Sequence, residues 1–360
     1  MSQPTKLILT RYFYSLNEVT HTLLISFIEK KSFKECLFWI SELYYSKFYD
    51  LLWDLLWKIY YDFYAINNPK FEKFITKCNI KWNEKKEIHQ IIDVANILYY
   101  SKNINNQVFN MRLKKIAIPS KIYRGRNPKW IKHFDSMNLT KKEKVFIRSL
   151  DDLNFDNIKF YFKQIQNNTN RLLLLVKHYF NTRHNFKLKE KLLDTIPYKN
   201  KSHIVLCIIC YLFNDVGKIN KRLIKKKISE DDISYFEQTN IIPNLVYKTL
   251  PEKRMFGIDP NIGLFENHRI ENYNEMLWYN WEYFTQGCPL WDERFLKFKC
   301  KFDKNTKKPI WENDNMLENF YEKFGFEPDE QNNECQNKSL QKLNDTPSDM
   351  LYHLNKKSYL

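Results

Sequence analysis

The side chains best suited to metal chemistry lie in one apolar stretch of the chain. His203, Cys207 and Cys210 are spaced by four and three residues, which places them on one face of an α-helix. Imidazole and thiolate are zinc ligands, but a structural zinc site needs a fourth ligand, and neither Cys288 nor Cys300 is spaced to suggest one. Because cysteine is among the most buried residue types, we predict that the trio packs in the core and binds no metal.

Two basic segments have the composition of a phosphate-binding surface. The segment YRGRNPKW at 123–130 mixes basic residues with aromatic ones, and KRLIKKK at 221–227 is basic around two apolar residues. Lysine and arginine pair with phosphates, and aromatic rings stack on unpaired bases. The candidate nucleic-acid-binding residues are Lys114, Lys115, Lys121, Tyr123, Arg124, Arg126, Lys129, Trp130, Lys132, Lys221, Arg222, Lys225, Lys226 and Lys227. The alternative is that both segments are solvated surface, a basic loop and one face of a helix.

Motifs of catalysis are missing from the sequence. No Gly-x-Gly, Gly-Lys-Ser/Thr, His-Glu-x-x-His, Gly-x-Ser-x-Gly or protein-kinase signature occurs. The pairs Asp151-Asp152 and Asp231-Asp232 are interpreted as helix starts, where acidic side chains are favourable. We therefore predict no catalytic residues and no cofactor, and an enzyme would have to assemble its site from residues distant in sequence.

Charge is distributed unevenly along the 360 residues. The net charge is +16, and the segments 112–148 and 218–227 carry surpluses of ten and six, which equal the whole excess. Residues 312–334 are instead negatively charged, with eight acids and one lysine. The basic middle therefore has two possible partners, a nucleic acid or an acidic protein surface such as 312–334 itself.

Composition is that of a globular protein from a reducing compartment. Hydrophobic residues make up 43% and charged residues 28%, which is ordinary for a globular domain. The seven cysteines are odd in number and irregularly spaced, which favours free thiols over a disulfide framework. The N-terminal residues lack the pattern of a secretory signal, and no window of about eighteen uncharged apolar residues occurs. We expect neither secretion nor membrane insertion.

Hydrophobic periodicity predicts helices through most of the chain. The aromatic stretch 32–64 reads as two amphipathic helices, with Trp53 and Leu56 in the core. Ser15, Ser32 and Asn68 stand where helix caps are expected. A helix is predicted over 202–213, and its apolar character on all sides makes it the most buried helix of the second half.

The residue composition changes after about residue 241, where five prolines fall in fewer than seventy residues. Strict alternation from Leu296 to Phe302 predicts a strand, with Pro309–Trp311 returning as its partner. Phe298 and Cys300 are expected to face inward, and Lys297, Lys299 and Lys301 to face water. We predict a mainly α fold, an irregular antiparallel helical array with a small C-terminal α+β module containing a β-hairpin. The expected segments are a helical bundle at 1–110, a basic linker or loop at 111–140, a second helical segment at 141–240, the module at 241–330 and a disordered tail at 331–360.

Four stretches of the sequence resemble a known family in their residue pattern, although they contain no chemical motif. They are FWISELYYSKFYDLLWDLLWKIYYDFYAINNPKFEKFI, YKTLPEKRMFGIDPNIGLF, MLWYNWEYFTQGCPLWDERF and WENDNMLENFYEKFGFEPDEQ, which begin at residues 38, 247, 276 and 311. They are similar to uncharacterised proteins of giant, mimivirus-like nucleocytoplasmic large DNA viruses. The resemblance implies a viral protein in the host cytoplasm, in the viral factory or in the virion, and it transfers no functional residue because the family has no assigned activity.

Three functions remain open from the sequence. The first is a non-catalytic interaction or scaffold protein of a large DNA virus, contacting nucleic acid or other viral proteins through its basic middle. The second is a structural component of the virion. The third is an enzyme with no sequence-local motif.

Overall fold

Helices dominate the computed structural model, which confirms the mainly α fold. The structure describes residues 7–101, 104–113, 119, 122–123, 127–184, 193, 195–211, 214, 226–239 and 273–324. The α-helices are α1 Leu16–Ile28, α2 Phe33–Tyr45, α3 Tyr49–Ile59, α4 Phe71–Lys85, α5 His89–Tyr100, α6 Gln107–Leu113, α7 Lys141–Asp151, α8 Phe155–Ile165, α9 Thr169–His184, α10 Lys201–Tyr211, α11 Glu230–Gln238, α12 Tyr273–Thr285, α13 Pro289–Lys297 and α14 Asp314–Phe324. A π-helical turn at Tyr60–Tyr64 follows α3, a 3₁₀ helix spans Lys129–Met137, and strands β1 Lys301–Phe302 and β2 Pro309–Ile310 form an antiparallel hairpin.

The chain divides into two compact units. The first unit comprises Met1–Leu55 and Lys226–Tyr359, and the second comprises Leu56–Lys225 with Leu360. The boundary between them falls inside α3. The five segments inferred from the sequence divide the chain at other positions and stay a prediction.

The first unit is built around the N-terminal residues and an aromatic cluster. Leu9 forms a bridge with Ser15, and its amide donates to the carbonyl of Phe284 at 2.9 Å. Phe13 stacks on Trp291 with ring centroids 5.6 Å apart. A chain segment that precedes the first helix therefore lies in the core of this unit.

The aromatic stretch folds as predicted, into α2 and α3. Trp53 is 5% exposed and Leu56 is fully buried. The Ser32 hydroxyl caps α2 by accepting from the amide of Glu35 at 3.1 Å. Ser15 stands at the predicted N-cap position of α1 but makes no side-chain cap bond. The cap at Asn68 was wrong, because Lys70 precedes α4 and the side-chain amide of the buried Asn68 donates to the carbonyl of Tyr64.

The predicted strand at 296–302 was too long. Pro289 stands in the first turn of α13 and the helix continues to Lys297, so only Lys301 and Phe302 are strand. Lys299 follows the helix in the left-handed conformation, with φ 53°. The alternation does not come from one strand. Lys297 ends the helix, Lys299 has the left-handed conformation and Lys301 begins the short strand, and all three side chains are exposed. The hairpin with Ile310 and the exposure of the lysines are confirmed.

The second unit packs α4 to α10 with the π-helical turn and the 3₁₀ helix. The helix α10 is buried along nearly its whole length, as predicted for 202–213. Asp151 and Asp152 correct another interpretation, since they end α7 rather than start a helix. The amino end of α7 is instead closed by a capping box between Thr140 and Glu143, and Asp231 and Asp232 do stand in the first turn of α11.

Candidate nucleic-acid interface

A 3₁₀ helix at Lys129–Met137 forms the longest described part of the basic linker at 111–140. Ile131 and Phe134, three residues apart, are buried. Lys129 and Lys132 have the same spacing and are exposed. Because side chains three apart eclipse one another in a 3₁₀ helix, the two ammonium groups leave the same side of this segment.

Two arginines hold the aromatic residues of the segment YRGRNPKW. The Arg148 guanidinium lies 4.5 Å from the ring centroid of Tyr123, and the Arg183 guanidinium lies 5.0 Å from that of Trp130. The Arg183 Nε also donates to Asp151 Oδ1 at 2.8 Å. Cation–π contacts of this kind contribute about 0.5–1 kcal/mol where they are exposed. They attach Tyr123 to α7 and Trp130 to α9, and they cover one face of each ring.

A third arginine joins the end of the 3₁₀ helix to the start of α7. Arg171 on α9 donates through Nε to Glu143 at 2.8 Å and through Nη2 to the carbonyl of Met137 at 2.5 Å. Burial alone raises the pKa of Glu143, but the bonds from Arg171 and Thr140 outweigh it and lower that pKa below its ordinary value. Glu143 is therefore ionised and already paired at neutral pH.

Four lysines of this region have no partner among the described residues. Lys129, Lys132, Lys141 and Lys142 are exposed, and they form no ion pair or hydrogen bond within the described ranges of the chain. We call these four residues the lysine set. Between residues 127 and 184 there are eleven Lys or Arg and five Asp or Glu, so the surrounding helices do not neutralise the set.

The remaining sequence candidates are distributed as follows. Tyr123, Lys129, Trp130 and Lys132 belong to the second unit, and Lys226 and Lys227 to the first. Lys114, Lys115, Lys121, Arg124, Arg126, Lys221, Arg222 and Lys225 lie outside the described residues. The assignment of all fourteen to nucleic acid stays a prediction.

The described arginines are all engaged within the protein. Each described arginine contacts a carboxylate or an aromatic ring: Arg11 with Glu42, Arg112 with Asp62, Arg148 with Tyr123, Arg171 with Glu143, Arg183 with Asp151 and Trp130, and Arg294 with Trp291 and Phe324. Lysine supplies the exposed positive charge of the lysine set.

A buried polar network lies elsewhere in the second unit, and sequence reasoning missed it. Asp62, in the π-helical turn, accepts from Arg112 Nε at 3.1 Å and Nη2 at 2.7 Å. His203 Nε2 lies 2.9 Å from Asp62 Oδ1, and His203 Nδ1 lies 2.9 Å from the Tyr198 hydroxyl. An acid inside an otherwise apolar aromatic run was the only signal for it.

The same network includes His203, the histidine of the trio His203, Cys207 and Cys210. Both ring nitrogens of His203 have partners, and burial raises the pKa of the Cys207 and Cys210 thiols. Thiolates are the form that binds metal, so this environment favours neutral core side chains. The described residues contain no group of three or more His, Cys, Asp or Glu able to hold a metal ion. Nor does any described helix have the length and apolar character needed to cross a bilayer.

Comparison with protein-family models, with curated proteins and with solved structures finds no match to this chain.

Proposed function

We propose that the chain is a non-catalytic interaction protein that binds the phosphate backbone of nucleic acid through the lysine set of the second unit. The observation that carries this proposal is the pairing of charges at residues 127–184. Glu143 forms an ion pair with Arg171, and Asp151 forms one with Arg183. The four residues of the lysine set are exposed and have no partner in the described part of the chain, so their charge is available to an external anion.

The same pairing argues against recognition of base sequence. Arginine is the residue that most often reads a base edge, because its planar group makes two hydrogen bonds to guanine. Arg148 and Arg183 are both stacked on rings of the protein, and lysine binds phosphate as a point charge. The contacts of the lysine set would therefore position a nucleic acid without specifying its sequence.

The arginines also bear on stacking with unpaired bases. One face of Tyr123 and one face of Trp130 carry a guanidinium. An aromatic platform for single strands needs an open ring face. Stacking on bases is therefore limited to the opposite face of each ring. The lysine set itself contains no ring, so its contacts should not favour single strands over duplex.

The test is the affinity of the full-length protein for a labelled duplex between about 50 and 200 mM salt. The variant Lys129→Ala, Lys132→Ala, Lys141→Ala, Lys142→Ala should bind more weakly to every sequence. Its log–log salt slope should be flatter by up to about 3.6 units, because each phosphate contact contributes about 0.9.

A matched control lies on α4 of the same unit. Lys73, Lys77, Lys81 and Lys85 are exposed, so replacing all four with alanine makes the same change in net charge. This control should leave the affinity within about twofold, since long-range attraction is screened beyond about 10 Å at 0.1 M salt. Equal losses in both variants, or unaltered binding by the lysine-set variant, would contradict the proposal.

The source and setting are part of the proposal. The giant-virus resemblance of the sequence supports a scaffold or interaction role in the host cytoplasm, at the viral factory or in the virion. The partners would be nucleic acid and, through the same lysines, acidic surfaces of other viral proteins. Quantitative proteomics of purified virions tests whether the chain is packaged as a structural component or acts only in the infected cell.

A further inference from the structure

The C-terminal hairpin of the first unit has two faces of opposite character. Lys301 pairs with Ile310 and Phe302 with Pro309, and residues that pair across strands share one face. Phe302 points inward, with its ring centroid 4.9 Å from that of Phe295. Lys301 and Ile310 therefore share the opposite face, and both are exposed.

The outer face continues beyond the two strands in the same register. Lys299 Nζ pairs with Glu312 Oε2 at 2.7 Å. On the other side, the amide of Asp303 donates to the carbonyl of Lys308 at 3.0 Å, and Lys308 Nζ donates to the carbonyl of Tyr279. The carbonyl of Leu296, at the end of α13, accepts from the amide of Lys299 at 3.1 Å. We call the surface made by Lys299, Lys301, Lys308 and Ile310, with the adjoining Tyr279 and Leu296, the hairpin face.

Large apolar side chains are unusually open on this face. Leu296 is 79% exposed, Tyr279 58% and Ile310 54%. Beneath them the hairpin rests on a packed aromatic cluster in which Phe320 stacks on Phe295 and contacts Trp311. The exposed side chains therefore stand on a rigid support and not on a frayed end. Clusters of exposed apolar residues of this kind mark interaction sites.

The charge around these apolar residues is positive, because residues 297–312 contain six lysines and two acids. Lys297, Lys301 and Lys304 are exposed and form no ion pair within the described part of the first unit. Glu312 pairs with Lys299. The Asp303 carboxylate accepts the amide of Asn305 at 2.7 Å and keeps its negative charge, so it offsets one further lysine. A partner of this surface must supply negative charge beside an apolar phase.

We propose that the hairpin face binds the surface of an anionic lipid bilayer. Leu296 and Ile310 enter the boundary between headgroups and acyl chains, and the lysines remain at the headgroup phosphates, as their long stems allow. Juxtaposed lysines gain free energy from the negative potential of such a surface. A nucleic acid offers little apolar surface to the two aliphatic side chains, and the hairpin face contains no arginine to pair with phosphates in a bidentate manner. This inference does not depend on the proposed binding of nucleic acid.

The test is co-sedimentation of the full-length protein with vesicles of phosphatidylcholine, with and without phosphatidylserine. Binding should require phosphatidylserine. Replacing Leu296→Ser and Ile310→Ser keeps every charge and touches two exposed positions, so folding should be retained. Partitioning onto the anionic vesicles should nevertheless fall about tenfold or more, because each aliphatic side chain gains from leaving water.

A matched control uses Leu153→Ser and Leu174→Ser, which are 50% and 49% exposed in the second unit. This pair should leave partitioning unchanged. The proposal is overturned if the hairpin pair retains wild-type partitioning, or if the control pair lowers it equally. It is also overturned if the hairpin pair loses affinity for duplex DNA while the wild-type protein ignores vesicles, which would assign the surface to nucleic acid. Because the lysine set is intact in both serine variants, duplex binding by them reports on the other proposal separately.

Discussion

Each unit of the molecule contains a buried carboxylate with an arginine partner, and the two are neutralised differently. In the first unit, Glu42 accepts from Thr10 Oγ1 at 2.6 Å, from Arg11 Nε at 2.9 Å and from the amide of Tyr12 at 3.0 Å. All three donors come from consecutive residues. Glu42 therefore pins a single stretch of chain, the N-terminal segment, to α2.

In the second unit, Asp62 joins three elements. Its donors come from α6 and α10 and hold the π-helical turn between them. The side chain of Arg112 is 25% exposed, whereas that of Arg11 is 6% exposed. One partner of Asp62 is therefore partly in water and the other is a histidine. The site in the first unit is closed, and the site in the second unit is open to solvent only through Arg112.

The largest expected effect is that of Glu42→Ala. Removing this carboxylate leaves the Arg11 guanidinium buried without its partner, which costs about 3–5 kcal/mol. Urea unfolding should show a loss of that size, and Glu84→Ala at an exposed position of α4 should stay within about 0.5 kcal/mol. The double variant Arg11→Met, Glu42→Leu removes both charges and should recover much of the stability lost in Glu42→Ala. A double variant as unstable as Glu42→Ala would contradict the view that the unpaired Arg11 charge causes the loss.

Asp62→Ala should cost less, about 2–3 kcal/mol, because Arg112 is partly exposed and can turn toward water when its partner is removed. The same unfolding experiment measures it. A cost equal to or above that of Glu42→Ala would show that the exposure of Arg112 does not relieve its charge. The difference between the closed site and the open site would then have no energetic meaning.

A smaller effect should appear as a dependence of stability on pH. Burial alone raises the pKa of Asp62, but the bonds and charges of His203 and Arg112 outweigh it and hold that pKa below its ordinary value. The ionised form is therefore favoured by folding, and its contribution is fully present above the unfolded pKa of about 3.9. It is lost as the pH falls through the lower folded value. Asp62→Asn should flatten the acid limb of the stability profile, and an unchanged limb would remove Asp62 from the explanation.

Local chemistry made part of this fold predictable. The cap at Ser32, the core positions Trp53 and Leu56, and the hairpin partner Ile310 all follow from spacing over a few residues. Helix ends were harder, because the chain has six glycines and the left-handed position that glycine usually takes is often a lysine. Lys86 after α4 and Lys299 after α13 are examples, with φ 56° and 53°.

The polar sites could not be predicted because their members are far apart in sequence. Asp62 and His203 are separated by 141 residues, and no local period relates them. The basic linker was recognised from its composition, but no local pattern indicated that Arg148 and Arg183 would each cover one face of the rings of Tyr123 and Trp130. That contact limits stacking to the opposite face of each ring, and for this reason the proposal relies on the phosphate backbone.

The most direct test of the central claim compares two duplexes of equal length and unrelated sequence, each titrated with the full-length protein over the same range of salt. Because the described arginines are all engaged by the protein and the lysine set offers point charges, both duplexes should bind with the same affinity and the same salt slope. A discrimination of about tenfold or more at one salt concentration, which is the signature of base contacts, would contradict the claim. So would the absence of duplex binding at about 50 mM salt, where phosphate contacts are strong.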